Sequence, residues 1–255
     1  MNKTIETILA HRSVRDFEDR ALSPEQIETL VKCAQAAATS SFQQAYTIIG
    51  VTDSSKKKEI AKLALNQDFV AKSGHLFIFC ADLNRHEIAA EMEAVSGEVE
   101  VGLETSLAST EKFMVGLVDA ALAAQNTAIA AESMGLGICY VGGIRNKLVE
   151  ISDILKVPNR VVPLFGMAIG YPTKVNGQKP RLPIENIYHE NEYQQDTEVF
   201  KAQLTDYNET IENYYDERTV GTRQETWTEQ MVRLLSTPRR MYLQDYLHNK
   251  GIAEK

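Results

Sequence analysis

Apolar positions recur along this chain with two periods, and the period changes repeatedly. Residues 3–10 read as a first helix, ended by the polar run at His11, Arg12 and Ser13. Ser23 can cap the next helix, with Pro24 at its first position and Gln26 completing a capping box. Ile27, Leu30, Val31, Ala34 and Ala38 then share a face, and the helix is expected to stop at 39–41. Tyr46–Val51 is β-branched and reads as a strand, and 56–65 as a basic amphipathic helix. The run 76–81 is continuously apolar, as a strand buried on both faces should be. Residues 110–134 form the longest helical pattern, apolar around most of the circumference, with Gly135 placed for a left-handed end. A second buried strand, Gly137–Val141, ends in Gly142 and Gly143. A helix at 146–156 and a strand at 161–170 follow. From Thr197 on, the pattern is helical and polar. Strands alternating with helices argue for an α/β or α+β fold.

Residues 87–104 break the pattern. They hold six Glu and no Lys or Arg. Their apolar spacing is weak, so a mobile, solvated insertion is expected there. No repeat or flexible linker divides the chain. The expected organisation is a core at 1–196 with a helical C-terminal extension at 197–255.

Composition narrows the function. The chain has 255 residues, 27 basic and 35 acidic, for a net charge of −8. That balance argues against nucleic acid and anionic membranes as partners. Asp119 and Glu132 interrupt the longest apolar stretch, so no membrane span is expected, and the N-terminal segment lacks the form of a signal peptide. Cys33, Cys80 and Cys139 form no metal-spaced pair and read as small hydrophobes of a reducing, cytoplasmic compartment. The chain has no phosphate loop, no H-E-x-x-H and no G-x-S-x-G, and its G-x-G at 135–137 precedes a strand rather than a helix. Two cationic runs could grip an anion: His11-Arg12-Ser13-Val14-Arg15, and the proline-stiffened Lys179-Pro180-Arg181-Leu182-Pro183.

Longer motifs carry more. H-R-S-V-R near the N-terminus, T-S-S-F-Q-Q at 39–44 and Asn66-Gln67 resemble the nitroreductase-like flavoproteins. So do A-A-Q-N-x-x-I-A-A-E-S-M-G-L-G-I-C-Y-V-G-G-I-R-N at 123–146, P-L-F-G-M-A-I-G at 163–170 and K-P-R-L-P at 179–183. The resemblance is to the NADPH-dependent nitroreductase and flavin reductase branch, over nearly the whole chain.

That resemblance implies an α+β nitroreductase-like fold with a mostly antiparallel central sheet, in an intertwined homodimer whose C-terminal extensions wrap the partner. It implies FMN as cofactor and NADPH as hydride donor. His11, Arg12, Ser13, Lys179 and Arg181 match phosphate-side donors, and Arg15 matches the cation facing the ring. Gln67 matches the amide at the pyrimidine edge. Tyr140, Val141, Gly142 and Gly143 match the strand end whose backbone amides lie near N5 and O4. Thr39, Ser40 and Ser41 match a hydroxyl loop reaching in from the second subunit. Arg218 matches the reader of the NADPH 2′-phosphate, and Arg223 stands near it. Phe69 departs from a frequent tyrosine. No catalytic side chain or metal is implied; FMN N5 is the reactive centre. The implied activity is ping-pong transfer from NADPH to free flavin, nitroaromatics or quinones. A flavin-binding redox sensor without turnover, or a flavin-fragmenting or dehalogenating enzyme, are the alternatives on the same fold.

Overall fold

Asn2 accepts the Ile5 N–H and starts α1 (Lys3–Leu9). The computed structural model describes residues 1–254 in this manner, element by element. A two-residue strand, β1 (Asp16–Phe17), follows. Ser23 and Gln26 then close the expected capping box on α2 (Pro24–Gln35). This helix ends at Gln35, short of the 39–41 stop expected from the sequence, and Ala38 lies outside it. The chain needs those residues for a tight loop in which Ser41, Phe42 and Gln44 all adopt positive φ.

β2 (Tyr46–Val51) has the bounds expected. Asp53 caps α3 (Ser54–Leu63), and the short α4 (Asp68–Lys72) leads into β3 (His75–Asp82), buried along its whole length. The acidic segment, expected as a mobile, solvated insertion, forms two helices, α5 (Asn84–Met92) and α6 (Glu98–Leu107). The physical reason is tertiary. The guanidinium of Arg160 is 7% exposed and pairs with Glu87 and Glu104. α7 (Thr110–Ser133) and β4 (Gly137–Val141) follow, joined through Gly135 at φ +77. A 3₁₀ turn (Gly142–Asn146) and α8 (Leu148–Leu155) precede β5 (Val161–Gly170) and β6 (Pro172–Lys174). The remaining helices are α9 (Thr197–Thr219), α10 (Trp227–Leu235) and α11 (Leu243–Asn249).

The main sheet has the order β2-β3-β5-β4, every pair antiparallel, and β1 pairs with β6. Alternation along β3 explains its unbroken apolar run. Phe77, Phe79 and Ala81 join the cluster under α7 and α2, whereas Leu76, Ile78 and Cys80 join the one under α3 and α8. Both faces are covered, so the stretch from Leu76 to Ala81 is apolar at both register positions, and the polar residues His75 and Asp82 stand at its ends. Pro163, in the middle of the sheet, sits at a register shift between β3 and β5, and Arg145 donates to the carbonyl of the skipped Leu164 at 2.6 Å.

α7 is long and apolar enough to cross a membrane by length and composition. The expectation that its charges rule this out fails as a composition argument. Its Asp119 is instead fully buried and accepts N–H groups from Ser40 and Ala45 at 3.0 Å each, and the helix packs on α2 and β3.

Contacts divide the chain into one unit of residues 1–176 plus those from Arg240 on, and a second of residues 177–239. The organisation expected from the sequence was a core at 1–196 with a helical extension of the same domain at 197–255. The final residues return to the first unit because their apolar side chains have a place there. Tyr246 is buried with its hydroxyl 2.7 Å from Ser152 Oγ, and Tyr242 OH donates to the Arg145 carbonyl at 2.8 Å. Ile252 is fully buried.

Candidate active site

The run His11–Arg15 is split by its own alternation. Ser13 makes an isolated parallel bridge with Ile138, and Val14 N–H donates to the Ile138 carbonyl at 2.9 Å. The stretch therefore lies alongside β4. Gly137 permits this: a Cβ there would meet Val14 at 2.7 Å. Val14 is buried and lines, with Arg12, a cavity shared with Lys3, Glu6 and Glu132. Ser13 and Arg15 turn the other way, toward the Cys139 thiol. His11 Nδ1 lies 2.6 Å from Glu132 Oε1.

Arg15 opens onto a second cavity of about 630 Å³, lined also by Asn66, Gln67, Phe69, Cys139, Tyr140 and Gly142. That size is ordinary for a cofactor pocket. Three elements deliver these groups. Leu65 and Asn66, both at positive φ, turn the chain out of α3 and set Gln67 at the start of α4. β4 supplies Cys139 and Tyr140. The 3₁₀ turn supplies Gly142, and Gly143 beside it has no room for a side chain. A Cβ there would lie 2.8 Å from the Ala64 carbonyl and 3.1 Å from Gln67 Nε2. The missing methyl is what lets the Gln67 amide reach the strand end.

The donor set suits a flat, polar-edged ring. Arg15 supplies an exposed cation 5.9 Å over the Phe69 ring, Gln67 can both donate and accept, and Gly142 of the turn lines the same space. Tyr140 stacks edge-on against Phe165, its hydroxyl 3.3 Å from Gln125 Oε1. Burial, with the charge of Glu132, pushes this phenol up to about 12, so it stays protonated. Burial also pushes the Cys139 thiol up, offset in part by Arg15.

Of the residues expected at a flavin, Arg15, Gln67, Tyr140 and Gly142 line one cavity, and Val141 and Gly143 adjoin it in the chain without lining it. Arg12 lines the other cavity and donates to the Ala10 carbonyl. Thr39, Ser40 and Ser41 lie in the loop held by Asp119 and do not line it. The sequence reading missed Cys139 and Glu132 as site residues, taking the first as a small hydrophobe and the second as a break in an apolar run. Glu132 was detectable as a carboxylate set among alanines.

The chain's similarities agree with this geometry. Residues 8–171 match the nitroreductase family and residues 179–255 its C-terminal domain. The chain belongs to the nitroreductase family. It is 54% identical over 251 residues to the FMN reductase (NADPH) of Bacillus subtilis, covering 98% of each. Among solved structures it superposes on B. megaterium NfrA1 with a TM-score of 0.96 at 53% identity, over 99% of this chain and 100% of that one. The NADPH:FMN oxidoreductase of Vibrio harveyi, complexed with NAD+, matches with a TM-score of 0.86 at 36% identity, over the whole of both chains. The nitroreductase fold and the antiparallel sheet expected from the motifs are thereby borne out.

The second unit of this nitroreductase carries the remaining cations. Lys179 Nζ donates to Tyr215 OH at 2.9 Å, and that hydroxyl faces Gln230 Oε1 at 3.3 Å. Arg181 is exposed. Arg223 lies 3.7 Å over the Tyr215 ring and pairs with Glu225 at 2.6 Å, which also binds Arg233. Arg218, in the last turn of α9, donates to Tyr214 OH at 2.7 Å, and no carboxylate among the described residues pairs with it. Val220 and Gly221, both at positive φ, form the turn expected between the two arginines.

Proposed function

We propose that this nitroreductase is an FMN-dependent NADPH oxidoreductase that reduces free flavin, nitroaromatic or quinone acceptors. The observation that carries it is the single cavity joining Arg15, Gln67 and the Gly142 turn in a chain of this family. FMN, when bound, supplies the two-electron carrier that takes hydride from NADPH and passes it on. Arg15 offsets negative charge at the pyrimidine side of the reduced ring. Gln67 would hold that edge, and the backbone amides at Gly142 and Gly143 would serve N5 and O4. His11, Arg12, Ser13, Lys179 and Arg181 are assigned to the phosphate on the resemblance. The open cavity favours loose acceptor choice and alternation of donor and acceptor at one place. We further propose a cytoplasmic homodimer, supported by an exposed apolar face on α7.

Purified protein should be yellow, bleach on anaerobic addition of NADPH and recolour with excess free flavin or a quinone. A colourless protein that gains no affinity for FMN, or a yellow one that NADPH leaves unbleached, overturns the reading.

A further inference from the structure

Arg15 has a fixed backbone and a free side chain. Val14 before it is bonded to β4, and Asp16 after it pairs with Lys174 of β6. The residue is exposed, and no carboxylate among the described residues pairs with its guanidinium, although Asp16 and Asp68 line the same cavity. An arginine held this loosely explores many rotamers, whereas a charge that offsets a reduced ring is worth most when it is already in place. Two groups limit its motion: the Cys139 thiol, toward which it turns, and the Phe69 ring, whose centre lies 5.9 Å from the guanidinium carbon. A thiol is a weak acceptor, so the ring is the stronger restraint.

The ring is rigid where the arginine is not. Phe69 is half-buried and packs against the apolar cluster under α3 and α8, beside the fully buried Val70. Its helix, α4, is tied down at both ends. Gln67 N–H donates to the Ala61 carbonyl at 3.0 Å, Ser73 N–H donates to the Phe69 carbonyl at 3.0 Å, and Lys57 Nζ donates to the Ser73 carbonyl. We propose that Phe69 is a positioning residue for flavin reduction: its π face attracts the Arg15 guanidinium and holds it over the cavity, ready for the negative charge of the reduced ring. This rests on the proposed placement of Arg15 at the pyrimidine side of FMN. Phe69 then raises the reduction potential of bound FMN, and does so through Arg15.

The test is the reduction potential of the FMN-loaded protein, read from the absorbance of bound flavin against reference dyes. Phe69→Leu keeps an apolar side chain toward the core and removes the π face. It should lower the ratio of reduced to oxidised FMN at a fixed poise about threefold, which is about 15 mV for a two-electron couple. Phe69→Met, also without a ring, should give the same drop, and Phe69→Tyr, which keeps the face, should match the parent. Arg15→Ala should lower the potential more than either, and adding Phe69→Leu to it should change nothing further. Parent potentials in Phe69→Leu and Phe69→Met, a drop in Phe69→Tyr as large as theirs, or the same drop with and without Arg15, overturns the proposal. A parent potential in Arg15→Ala overturns instead the placement of Arg15 at the flavin.

Discussion

Individual side chains separate binding from structure most sharply in the two arginines of the second unit. Arg223 is already occupied, stacked on Tyr215 and paired with Glu225. Arg218 has only a tyrosine hydroxyl to release. Arg218→Ala should therefore lower kcat/KM for NADPH about tenfold, leaving NADH nearly unchanged, whereas Arg223→Ala should act on both dinucleotides through the fold. Equal losses for Arg218→Ala with both would remove it as the phosphate reader. A second residue-scale prediction concerns acid stability. His75 is 3% exposed with Nε2 unpartnered, and burial, aided by the Lys57 charge, lowers it to about 4. The unfolded chain takes up this proton near pH 6.5, the folded chain only near 4. The stability tied to neutral His75 is thus full above pH 6.5 and is lost as pH falls toward 4, by about 3 kcal/mol. Urea unfolding at pH 7.5 and 4.5 should show that loss, much reduced in His75→Gln. At this scale the sequence revealed donors carried by local motifs, such as Arg15 and Gln67. Glu132 stood out only as a carboxylate among alanines, and its partner, a histidine 121 positions away, was not legible.

Elements show the same limit for a different reason. α7 and the strands were legible because burial is written along each as a pattern, and β3 carries only apolar side chains from Leu76 to Ala81. α5 and α6 were not, because their stability is borrowed. Glu87 and Glu104 gain a shared partner only when Arg160 arrives from the segment before β5. The same guanidinium donates to the Gly251 carbonyl, so one side chain ties the acidic helices to the returning C-terminus. The return itself was hidden for the same cause, since Tyr242, Tyr246 and Ile252 look isolated in a polar sequence. Arg160→Ala should lower the unfolding free energy by about 2 kcal/mol, with the two carboxylates partly rehydrated. Hydrogen exchange should rise in 98–107 while the middle of α7 stays protected. If exchange rises nowhere in that segment, the arginine does not order it.

On the scale of the whole molecule, α7 presents two unlike sides. Ala120, Ala123, Ala124 and Ala128 pack inward, while Met114, Leu117, Val118 and Leu122 are 56%, 42%, 47% and 43% exposed in the single chain. These four follow helical spacing and form one stripe, which solvent would leave bare. The loop bearing Ser40, Ser41 and the 83%-exposed Phe42 is anchored to the same helix through Asp119. Its three positive-φ residues cost roughly 1 kcal/mol each. Such strain in exposed backbone suits a loop shaped for something beyond its own chain. Pairing of two copies across the stripe would bury it, as an obligate interface of several thousand Å² does, and would let each loop offer its hydroxyls to the partner's flavin. Dimerisation and FMN binding are then one event. Val118→Glu with Leu122→Glu should give a monomer by sedimentation that folds, as read by circular dichroism, yet binds FMN at least tenfold more weakly. Milder weakening is expected from Ser41→Ala in an intact dimer. A double variant that stays dimeric, or a monomer that keeps full FMN affinity, would separate the two events and place the whole flavin site within one chain.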